Sequence, residues 1–335
     1  MKKVNILVTG GAGYIGSHTV QALVKSGFLV TVLDNLSKGK RSNLNSNTCF
    51  IEADLENVQT VDRIFAEGTF DAVIHFAGSI DAADSVRNPE LYYRNNVLNT
   101  LSLLKICVAH KIHRFIFSST AAVYGLTEQV PISEDAPLFP ISPYGHSKRM
   151  VEQILENFSL AYDFNFIALR YFNVAGSNPH ALVGPAQPSR DLISTCSRVA
   201  WGLQPKLTIF GDGTSIRDFI HPDDLAKAHV LSLEYLMQNK NNKIYNCGYG
   251  KGFSVLEIVQ TMRRLNGKEF PIDFVQAREG DPVKSIADST KIQRELGWNF
   301  QYNELEKLLQ TSLCWAKQLE YPTCPIQSYP THDLT

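Results

Sequence analysis

The sequence predicts an α/β protein, with a Rossmann-type doubly wound parallel sheet and a smaller C-terminal α/β substrate-binding domain. Two observations support this fold class. Short apolar strand candidates alternate with amphipathic segments of helix length through the first half of the chain, which is typical of a parallel sheet with helices on both faces. A glycine-rich segment, residues 10–16, directly follows the first strand and opens a helix, as in dinucleotide-binding βαβ units.

In the first half of the chain, apolar runs and prolines indicate where the strands and helices lie. The predicted strands cover residues 4–9, 29–33, 72–76, 115–117 and 165–169, with a further candidate just before Asp54. The predicted helices cover residues 15–25, 89–110 and 143–162. The last two begin at Pro89 and Pro143, because proline is favoured in the first turn of a helix.

The alternation loosens after Ala175. Residues 176–190 are rich in Gly, Pro, Ser and Asn and are typical of a loop. The elements predicted beyond that loop are helices 192–202, 222–237, 254–265 and 304–318 and strands 207–210 and 243–247. We therefore predict a dinucleotide-binding domain over residues 1–175 and a substrate-binding domain over 176–335, with segments that can interleave and a poorly packed tail at 320–335.

Composition and charge exclude several classes of function. The chain has 335 residues, of which 32 are basic and 33 acidic, so its net charge is −1 and it has no strong field for nucleic acid or an anionic membrane. No apolar run reaches the ~18 residues of a membrane span, and the N-terminus lacks the long apolar region of a signal peptide. Six scattered cysteines without a CxxC pair indicate reduced cytosolic thiols and no metal site. We expect a cytoplasmic protein that binds neither nucleic acid nor membrane.

The first functional motif is the glycine-rich loop. Gly10, Gly13 and Gly16 allow a tight turn, close approach of the backbone to a pyrophosphate, and close packing of the helix on the strand. The helix that follows offers free N–H groups and its positive dipole end to phosphates. Asp34 ends the second strand, 18 residues after Gly16, where an acid binds ribose hydroxyls and repels a 2′-phosphate. The motif therefore predicts NAD as cofactor in preference to NADP.

A second motif places Tyr144 and Lys148 four residues apart at a predicted helix start. At that spacing both side chains face the same way. An ammonium beside a phenol stabilises the phenolate and lowers the pKa of the phenol from ~10 toward neutrality, which makes it a general base. Thr120 closes a predicted strand and offers a hydroxyl to the same substrate oxygen. Alone, such a pair is commonly a solvated helix face, but beside this glycine loop it predicts a catalytic site.

These motifs resemble the extended short-chain dehydrogenase/reductases, and among them the UDP-glucose 4-epimerases. The resemblance covers about residues 4–297. The motifs are TGGAGYIGSH (9–18), DNLS (34–37), VIHFAG (73–78), YYRNNV (92–97), FSSTAAVYG (117–125), SPYGHSK (142–148), LRYFNVAG (169–176), IFGDGTSIRDFIHPDDLA (209–226) and REGD (278–281).

The resemblance implies a mechanism at C4 of a UDP-hexose. Tyr144 takes the proton of the 4′-hydroxyl while C4 gives hydride to tightly bound NAD. The 4-keto sugar then rotates, the hydride returns to the opposite face of C4, and Tyr144 returns the proton to the oxygen. Lys148 tunes Tyr144 and holds the nicotinamide ribose. The implied products are UDP-glucose and UDP-galactose.

The resemblance also implies the binding residues. The NAD contacts are Gly10, Gly13, Tyr14, Ile15, Gly16, Asp34, Asn35, Asp54, Leu55, Phe76, Ala77, Gly78, Asn95, Ser118, Tyr144, Lys148, Tyr171 and Phe172. The contacts to the UDP-sugar are Thr120, Tyr144, Asn173, Phe210, Arg217, Arg278, Asp281 and Ser285. Taken alone, Asp54 is more typical of a helix N-cap, and either arginine more typical of a surface salt bridge.

The chain departs from the family at several positions. Gly211 runs straight into Asp212 where typical relatives carry a short insertion. Ile80 stands where a Lys or His contacts the cofactor, and Asp191 lies near the position of an Asn or His at the substrate diphosphate. Ser285 stands at the size gate of the sugar pocket, where a small residue leaves room for UDP-GlcNAc and UDP-GalNAc.

Three alternatives remain beside this interpretation. A 4,6-dehydratase or decarboxylase shares the fold, but needs acids where Ala121 and Ala122 stand, and methyl groups transfer no protons. C4-epimerisation of a UDP-uronic acid or UDP-pentose needs the same chemistry with a different pocket rim. A non-enzymatic NAD-sensing protein is a further class, which commonly lacks the Tyr or the Lys. Family analogy also implies a homodimer, with helices 89–110 and 143–162 pairing with their copies in a four-helix bundle.

Overall fold

The computed structural model describes residues 3–178, 183–185, 189, 191–278 and 280–320. Its strands are β1 (Asn5–Thr9), β2 (Leu29–Asp34), β3 (Cys49–Glu52), β4 (Ala72–His75), β5 (Arg114–Thr120), β6 (Asn165–Tyr171), β7 (Asn173–Val174), β8 (Leu207–Phe210), β9 (Ile216–Ile220), β10 (Lys243–Cys247), β11 (Gly252–Ser254), β12 (Ile272–Val275) and β13 (Lys284–Ser285).

The α-helices lie between these strands. They are α1 (Tyr14–Lys25), α2 (Val58–Glu67), α3 (Ala82–Arg87), α4 (Pro89–Tyr92), α5 (Asn99–Ala109), α6 (Pro143–Ala161), α7 (Leu192–Ala200), α8 (Pro222–Gln238), α9 (Val255–Asn266), α10 (Thr290–Leu296) and α11 (Leu305–Glu320). A π-helical segment, Tyr93–Leu98, joins α4 to α5, and short 3₁₀ helices cover Arg41–Asn43 and Ala121–Val123.

The main sheet has seven parallel strands in the order β10-β6-β5-β4-β1-β2-β3. This confirms the predicted doubly wound parallel sheet. Chain order runs outward in opposite directions from the β1–β4 boundary, so this boundary is the topological switch point where ligands bind in such sheets. The loops after β1, β4 and β6 contain six of the residues predicted to bind the cofactor, namely Gly10, Gly13, Phe76, Ala77, Gly78 and Phe172.

Both faces of the main sheet are covered, and this explains why its strands are continuous apolar runs. Ile6 and Val8 of β1 belong to one buried apolar cluster, and Leu7 between them belongs to the cluster on the other face. Successive side chains of a strand point to opposite faces, so a strand buried on both sides has no polar alternation.

The predicted elements are present, with shifted ends, and several others were not predicted. Strands 207–210 and 243–247 have the predicted bounds. The predicted helix 89–110 is helical over 89–109 but contains the π-helical segment. The unpredicted elements are α2, α3, α10, β7, β9, β11, β12 and β13. Most of them are too short to show a clear period, whereas α2 is amphipathic, with Val61 and Phe65 buried, and its pattern was missed.

A second group of strands lies after β6. β9 pairs with β7, β11 and β13, while β8 pairs with β12 in a separate two-stranded sheet. The buried carboxylate of Asp218 on β9 joins three segments, because it accepts hydrogen bonds from the backbone N–H groups of Tyr249 (2.8 Å), Gly250 (2.9 Å) and Ala287 (3.1 Å). These bonds hold β13 beside β9.

The division at residue 175 stays a prediction. β10 lies beyond that point in the chain and yet pairs with β6 at the edge of the main sheet, and α8 packs against α1. The predicted tail, beyond residue 320, lies outside the described residues. Within the described part, no helix is long and apolar enough to cross a membrane, and no group of His, Cys, Asp and Glu could hold a metal ion.

Candidate active site

The glycine loop packs so tightly that side chains are excluded. A Cβ at Gly10 would lie 2.6 Å from the backbone nitrogen of Ala77, and a Cβ at Gly16 would lie 2.3 Å from the carbonyl oxygen of Gly10. Gly10 also has φ of 69°, a conformation that favours glycine. The loop thereby brings the start of α1 against the end of β4.

The N-terminus of α1 keeps its N–H groups available. Its N-cap residue is Gly13, which provides no side-chain hydrogen bond to the first turn, and no acidic residue stands in that turn. Tyr14 points away from the loop and donates to the carbonyl of Gly176 at 2.6 Å, while Ile15 packs on the apolar core. Unsatisfied N–H groups at a helix start are a ready site for phosphate.

Acidic groups collect at the ends of β2 and β3. The buried Asp34 carboxylate accepts from the backbone N–H groups of Ala12 and Leu36, both at 2.9 Å, and so lies beside the glycine loop. Asn35 donates to Asp54 at 2.7 Å. Asp54 does not cap α2, which is capped by Asn57, and Leu55 after it is buried.

These features fit the dinucleotide predicted from the sequence. The loop offers free N–H groups, and the carboxylate at the end of β2 retains acceptor capacity beyond its two backbone partners. Glycines stand at the points where a Cβ would collide with backbone.

The end of β4 is fixed by a residue that the sequence analysis missed. Asn96 accepts from the Ser79 N–H at 2.7 Å and donates to the Ser79 carbonyl and to the Ser147 hydroxyl of α6. A Cβ at Gly78 would lie 2.8 Å from the Asn96 amide oxygen. Asn95 donates to the Ser79 hydroxyl at 3.1 Å. The segment 76–79 is therefore held against α6.

Tyr144 stands at the start of α6, and Thr120 stands at the end of β5. Pro143 starts α6, and Ser142 caps it by accepting from Gly145 N–H at 3.2 Å, so Tyr144 falls in the first turn. The Thr120 side chain lies beside the Tyr144 phenol and acts to lower its pKa. The Thr120 hydroxyl also accepts from the Ala122 N–H at 3.1 Å.

Lys148 lies one turn after Tyr144 and is buried. Its ammonium donates to the Ser118 carbonyl at 2.8 Å and lies 4.9 Å from the centre of the Phe117 ring. Burial lowers its pKa to about 8, because a charged group is costly away from water, while the Glu152 carboxylate acts in the opposite direction.

The expected lowering of the Tyr144 pKa is not observed. Burial raises the pKa of the phenol above its usual value, and the Thr120 side chain opposes that rise. Lys148 is on the predicted side of α6, but its hydrogen bond goes to the Ser118 carbonyl. The four-residue spacing therefore predicts the side of α6 on which Lys148 lies, but the direction predicted for the Tyr144 pKa is wrong.

Tyr171 ends β6, and Phe172 follows it. The Tyr171 hydroxyl lies 2.5 Å from Nε2 of His229, whose Nδ1 lies 2.9 Å from the Leu225 carbonyl. A carbonyl only accepts, so Nδ1 carries the proton and Tyr171 donates to Nε2. Burial lowers the pKa of His229 to about 4, which keeps the ring neutral. Phe76 packs on this ring at 4.8 Å between centres, and Phe172 is buried.

The residues predicted to contact the substrate form two groups. Ser285 on β13 is opposite Arg217 on β9, and the Asp281 charge opposes the lowering of the Arg217 pKa by burial. In the second group the Arg278 guanidinium lies 3.7 Å above the ring centre of Phe210. The Asp281 N–H donates to the Arg278 carbonyl at 3.3 Å and links the groups.

Three further positions were singled out from the sequence. Asn173 lies on β7, is exposed, and is paired with Phe219 of β9. The Asp191 carboxylate caps α7 by accepting from the Ser194 N–H at 2.8 Å, which gives the acid a structural role at a helix start. Ile80 is exposed.

Glu152 is the other residue that sequence analysis missed. It is fully buried and receives hydrogen bonds from Ser119 and Arg170. A signal was present, since Glu152 follows Lys148 by four residues and Tyr144 by eight on one helix.

Comparisons with known proteins agree with this geometry. The sequence profile of the NAD dependent epimerase/dehydratase family matches residues 6–248. A UDP-glucose 4-epimerase of Azospirillum brasilense is 44% identical over 322 residues, covering 94% of this chain and 92% of the relative.

Two solved structures have the same fold. The UDP-glucose 4-epimerase of Stenotrophomonas maltophila, with bound NAD and formylated UDP-arabinopyranose, has a TM-score of 0.91 and 33% identity, covering 96% of this chain and 100% of that one. The UDP-Glc/GlcNAc 4-epimerase of Campylobacter jejuni has a TM-score of 0.83 and 42% identity, covering 94% of this chain and 99% of that one.

The packing of the glycine loop predicts a graded response to alanine. Gly16→Ala sets a Cβ 2.3 Å from the Gly10 carbonyl oxygen and forces the loop to move, whereas a Cβ at Gly13 would lie 3.1 Å from the same atom. We expect Gly16→Ala to lower the free energy of unfolding by about 1–3 kcal/mol. Gly13→Ala, the matched control, is expected to cost clearly less in the same urea titration. Equal losses would contradict the described packing.

Proposed function

Because the chain belongs to the NAD dependent epimerase/dehydratase family, we propose that it is a UDP-sugar 4-epimerase that interconverts UDP-glucose and UDP-galactose with bound NAD. The observation that carries the proposal is the arrangement of Tyr144, Thr120 and Lys148. The buried phenol lies beside the Thr120 hydroxyl at the carboxyl end of β5, and the Lys148 ammonium is buried one helical turn away and donates to the Ser118 carbonyl.

In this proposal, residues of the main sheet hold NAD. Gly10, Gly13 and the first turn of α1 receive the pyrophosphate, and Asp34 receives the adenosine ribose. Asn35, Asp54 and Leu55 line the adenine end. Phe76, Ala77, Gly78, Asn95, Ser118, Tyr171 and Phe172 line the nicotinamide end. When bound, NAD accepts a hydride from C4 of the sugar and gives it back.

Tyr144 moves the proton. Its phenol oxygen takes the proton of the 4′-hydroxyl, while Thr120 holds the same sugar oxygen by a hydrogen bond. Lys148 binds the nicotinamide ribose and supplies the positive charge that favours the phenolate. The same groups return the proton after the 4-keto sugar has turned in the pocket, so no net oxidation occurs and the cofactor stays bound.

The second group of strands holds the nucleotide sugar in this proposal. Arg217 and Arg278 contact the diphosphate and ribose, since the planar guanidinium binds phosphate through two parallel hydrogen bonds. Phe210, Asn173 and Asp281 complete this side. We propose accordingly that residues 1–175 serve mainly the cofactor and residues 176–335 the nucleotide sugar, in a cytoplasmic enzyme.

The residues after Thr120 favour epimerisation over dehydration. Ala121 and Ala122 begin the 3₁₀ helix there, and Ala122 packs against Gly145 of α6. Elimination of water across C5 and C6 requires an additional acid and base, and methyl groups provide neither.

A Tyr144→Phe variant tests the catalytic assignment. It removes the group that moves the proton and keeps the ring, so we expect turnover of UDP-galactose to fall by about 10³-fold or more while NAD remains bound. Chromatography of the nucleotide sugars measures turnover, and release of NAD from denatured protein measures occupancy. Turnover near the parental rate would contradict the assignment. Absence of turnover in the parent itself would favour an NAD-sensing protein.

The range of sugars depends on Ser285 in this proposal. It stands beside Arg217, and its small side chain leaves space for an N-acetyl group, so UDP-GlcNAc and UDP-GalNAc are proposed as additional substrates. The Campylobacter relative, which is named for both Glc and GlcNAc, supports this extension. A UDP-pentose is the second candidate, because the Stenotrophomonas enzyme binds a formylated UDP-arabinopyranose.

A Ser285→Tyr variant tests this size gate. The added ring fills the space for the N-acetyl group, so turnover of UDP-GalNAc is expected to fall by at least about 100-fold relative to turnover of UDP-galactose. Ser285→Ala is the matched control, because it removes the hydroxyl and keeps the space. An equal loss on both substrates in the tyrosine variant would overturn the gate.

We also propose a homodimer through the helical region 89–109 and α6. Both segments expose apolar side chains to solvent, among them Leu91, Leu98, Met150 and Leu160. Pairing with a second copy in a four-helix bundle removes this area from water.

Sedimentation velocity tests the dimer. The double variant Leu98→Glu, Met150→Glu places charges in the proposed bundle and is expected to sediment as a monomer. Leu319→Glu on α11, which changes another exposed leucine, should leave the parental dimer intact. A monomeric parent, or a dimer that survives the double variant, would contradict this assembly.

A further inference from the structure

The structure assigns a second function to α6 beyond carrying Tyr144 and Lys148. We propose that Glu152, together with Arg170, is a positioning residue that keeps the Lys148 ammonium protonated and fixes α6 against the end of β5. This inference rests on the proposed function at one point only, namely the use of the protonated ammonium in catalysis.

Glu152 lies in line with the catalytic pair. Tyr144, Lys148 and Glu152 follow one another at four-residue intervals on α6, so all three face the sheet. The exposed fraction of Glu152 is 0%, and that of Lys148 and Arg170 is 2%. A carboxylate so deeply buried is retained only where it has partners.

Its partners lie on both central strands and on α6 itself. The Glu152 carboxylate accepts from the Ser119 hydroxyl at 2.6 Å, from Nε and Nη2 of Arg170, both at 2.9 Å, and from Nη1 of the half-buried Arg149 at 3.4 Å. Ser119 and Arg170 are opposite each other in the β5–β6 register. Ser119 also stands between Ser118, which accepts from Lys148, and Thr120, which meets Tyr144. One carboxylate therefore sets the distance between α6 and the strand end that the phenol must reach.

Arg170 extends the same network to the segment after Thr120. Its Nη1 donates to the Tyr124 hydroxyl at 2.9 Å and to the Glu134 carbonyl at 3.2 Å. The Tyr124 hydroxyl in turn donates to Asn246 of β10 at 2.7 Å. The guanidinium thus ties the chain that follows the 3₁₀ helix to the sheet, and its other nitrogens pair with the Glu152 carboxylate.

Among the groups around Lys148, Glu152 supplies the negative charge that favours the protonated ammonium. Tyr144 precedes it on α6, and burial keeps that phenol protonated. On β4, His75 is neutral, since burial and the Lys148 charge lower its pKa to about 3. On β5 the ammonium meets only the Ser118 carbonyl and the Phe117 ring, and β6 contributes Arg170 and a protonated Tyr171. Burial favours loss of the proton from Lys148, and Glu152 opposes it.

Glu152→Gln removes the charge with little change of shape. Without the carboxylate, Lys148 loses its proton at lower pH. The high-pH limb of the pH profile of kcat/KM is therefore expected to shift to lower pH by about one unit. Glu152→Asp keeps the charge and shortens the reach to Ser119 and Arg170. It should lower the rate while leaving the limb at the parental pH. Ser119→Ala, which removes a hydrogen bond and no charge, should also leave the limb in place.

Glu295→Gln is the control for loss of an ion pair elsewhere. Glu295 receives hydrogen bonds from Lys243 and Tyr245, away from α6, so this variant should not move the limb. Where Glu152→Gln does not fold, the paired variant Glu152→Gln, Arg170→Met removes both charges of the Glu152–Arg170 pair and should still move the limb downward, by less than the single variant. A limb at the parental pH in a folded variant that lacks the Glu152 carboxylate would overturn the proposal.

A measurement without turnover separates this proposal from the proposed function. In protein labelled with carbon-13 in lysine, the ε-carbon signal of Lys148, assigned with Lys148→Met, reports its protonation directly. The apparent pKa should be about one unit lower in Glu152→Gln than in the parent. An unchanged pKa would refute the role of Glu152 even in an active epimerase. The expected shift in a protein without epimerase activity would leave the Glu152 assignment standing and remove the proposed function.

Discussion

The arrangement of the candidate site depends on one energetically unfavourable feature, the Lys148 ammonium buried between α6 and β5. Such a charge is tolerated only with partners, which here are the Ser118 carbonyl at 2.8 Å and the Glu152 carboxylate one turn further along the helix. Meeting this requirement fixes the rotation of α6 about its axis. Tyr144, one turn earlier, then lies at Thr120. The geometry of the phenol thus follows from the solvation of the ammonium.

The remaining architecture brings two binding surfaces to this point. The switch between β1 and β4 places the glycine loop and the end of β4 on one side of α6. The second group of strands lies on another side, where Asp218 joins β9 to the segment after β13 and so keeps Arg217 opposite Ser285. In the proposed function, a cofactor surface and a substrate surface meet at the Tyr144 phenol, as a hydride and proton transfer requires.

The sequence predicted those elements whose cause lies within a few neighbouring residues. The apolar runs of β1 and β4, the glycine loop and the proline start of α6 each carry their cause within a few residues, so their positions followed from the sequence. Long-range partners did not. The pairing of β10 with β6 and the Glu152–Arg170 pair each join residues that no local spacing reveals. The direction of the Tyr144 pKa was misjudged because burial, which spacing does not report, raises it and outweighs the effect of Thr120.

In the proposed mechanism the phenol removes and returns the proton of the 4′-hydroxyl, and the tightly held cofactor would remove and return the hydrogen at C4. The conversion of UDP-galactose carrying deuterium at C4 tests this, with the product analysed by nuclear magnetic resonance. We expect UDP-glucose that keeps the deuterium at C4, because the hydride never leaves the site. Product with hydrogen from solvent at that carbon would contradict it.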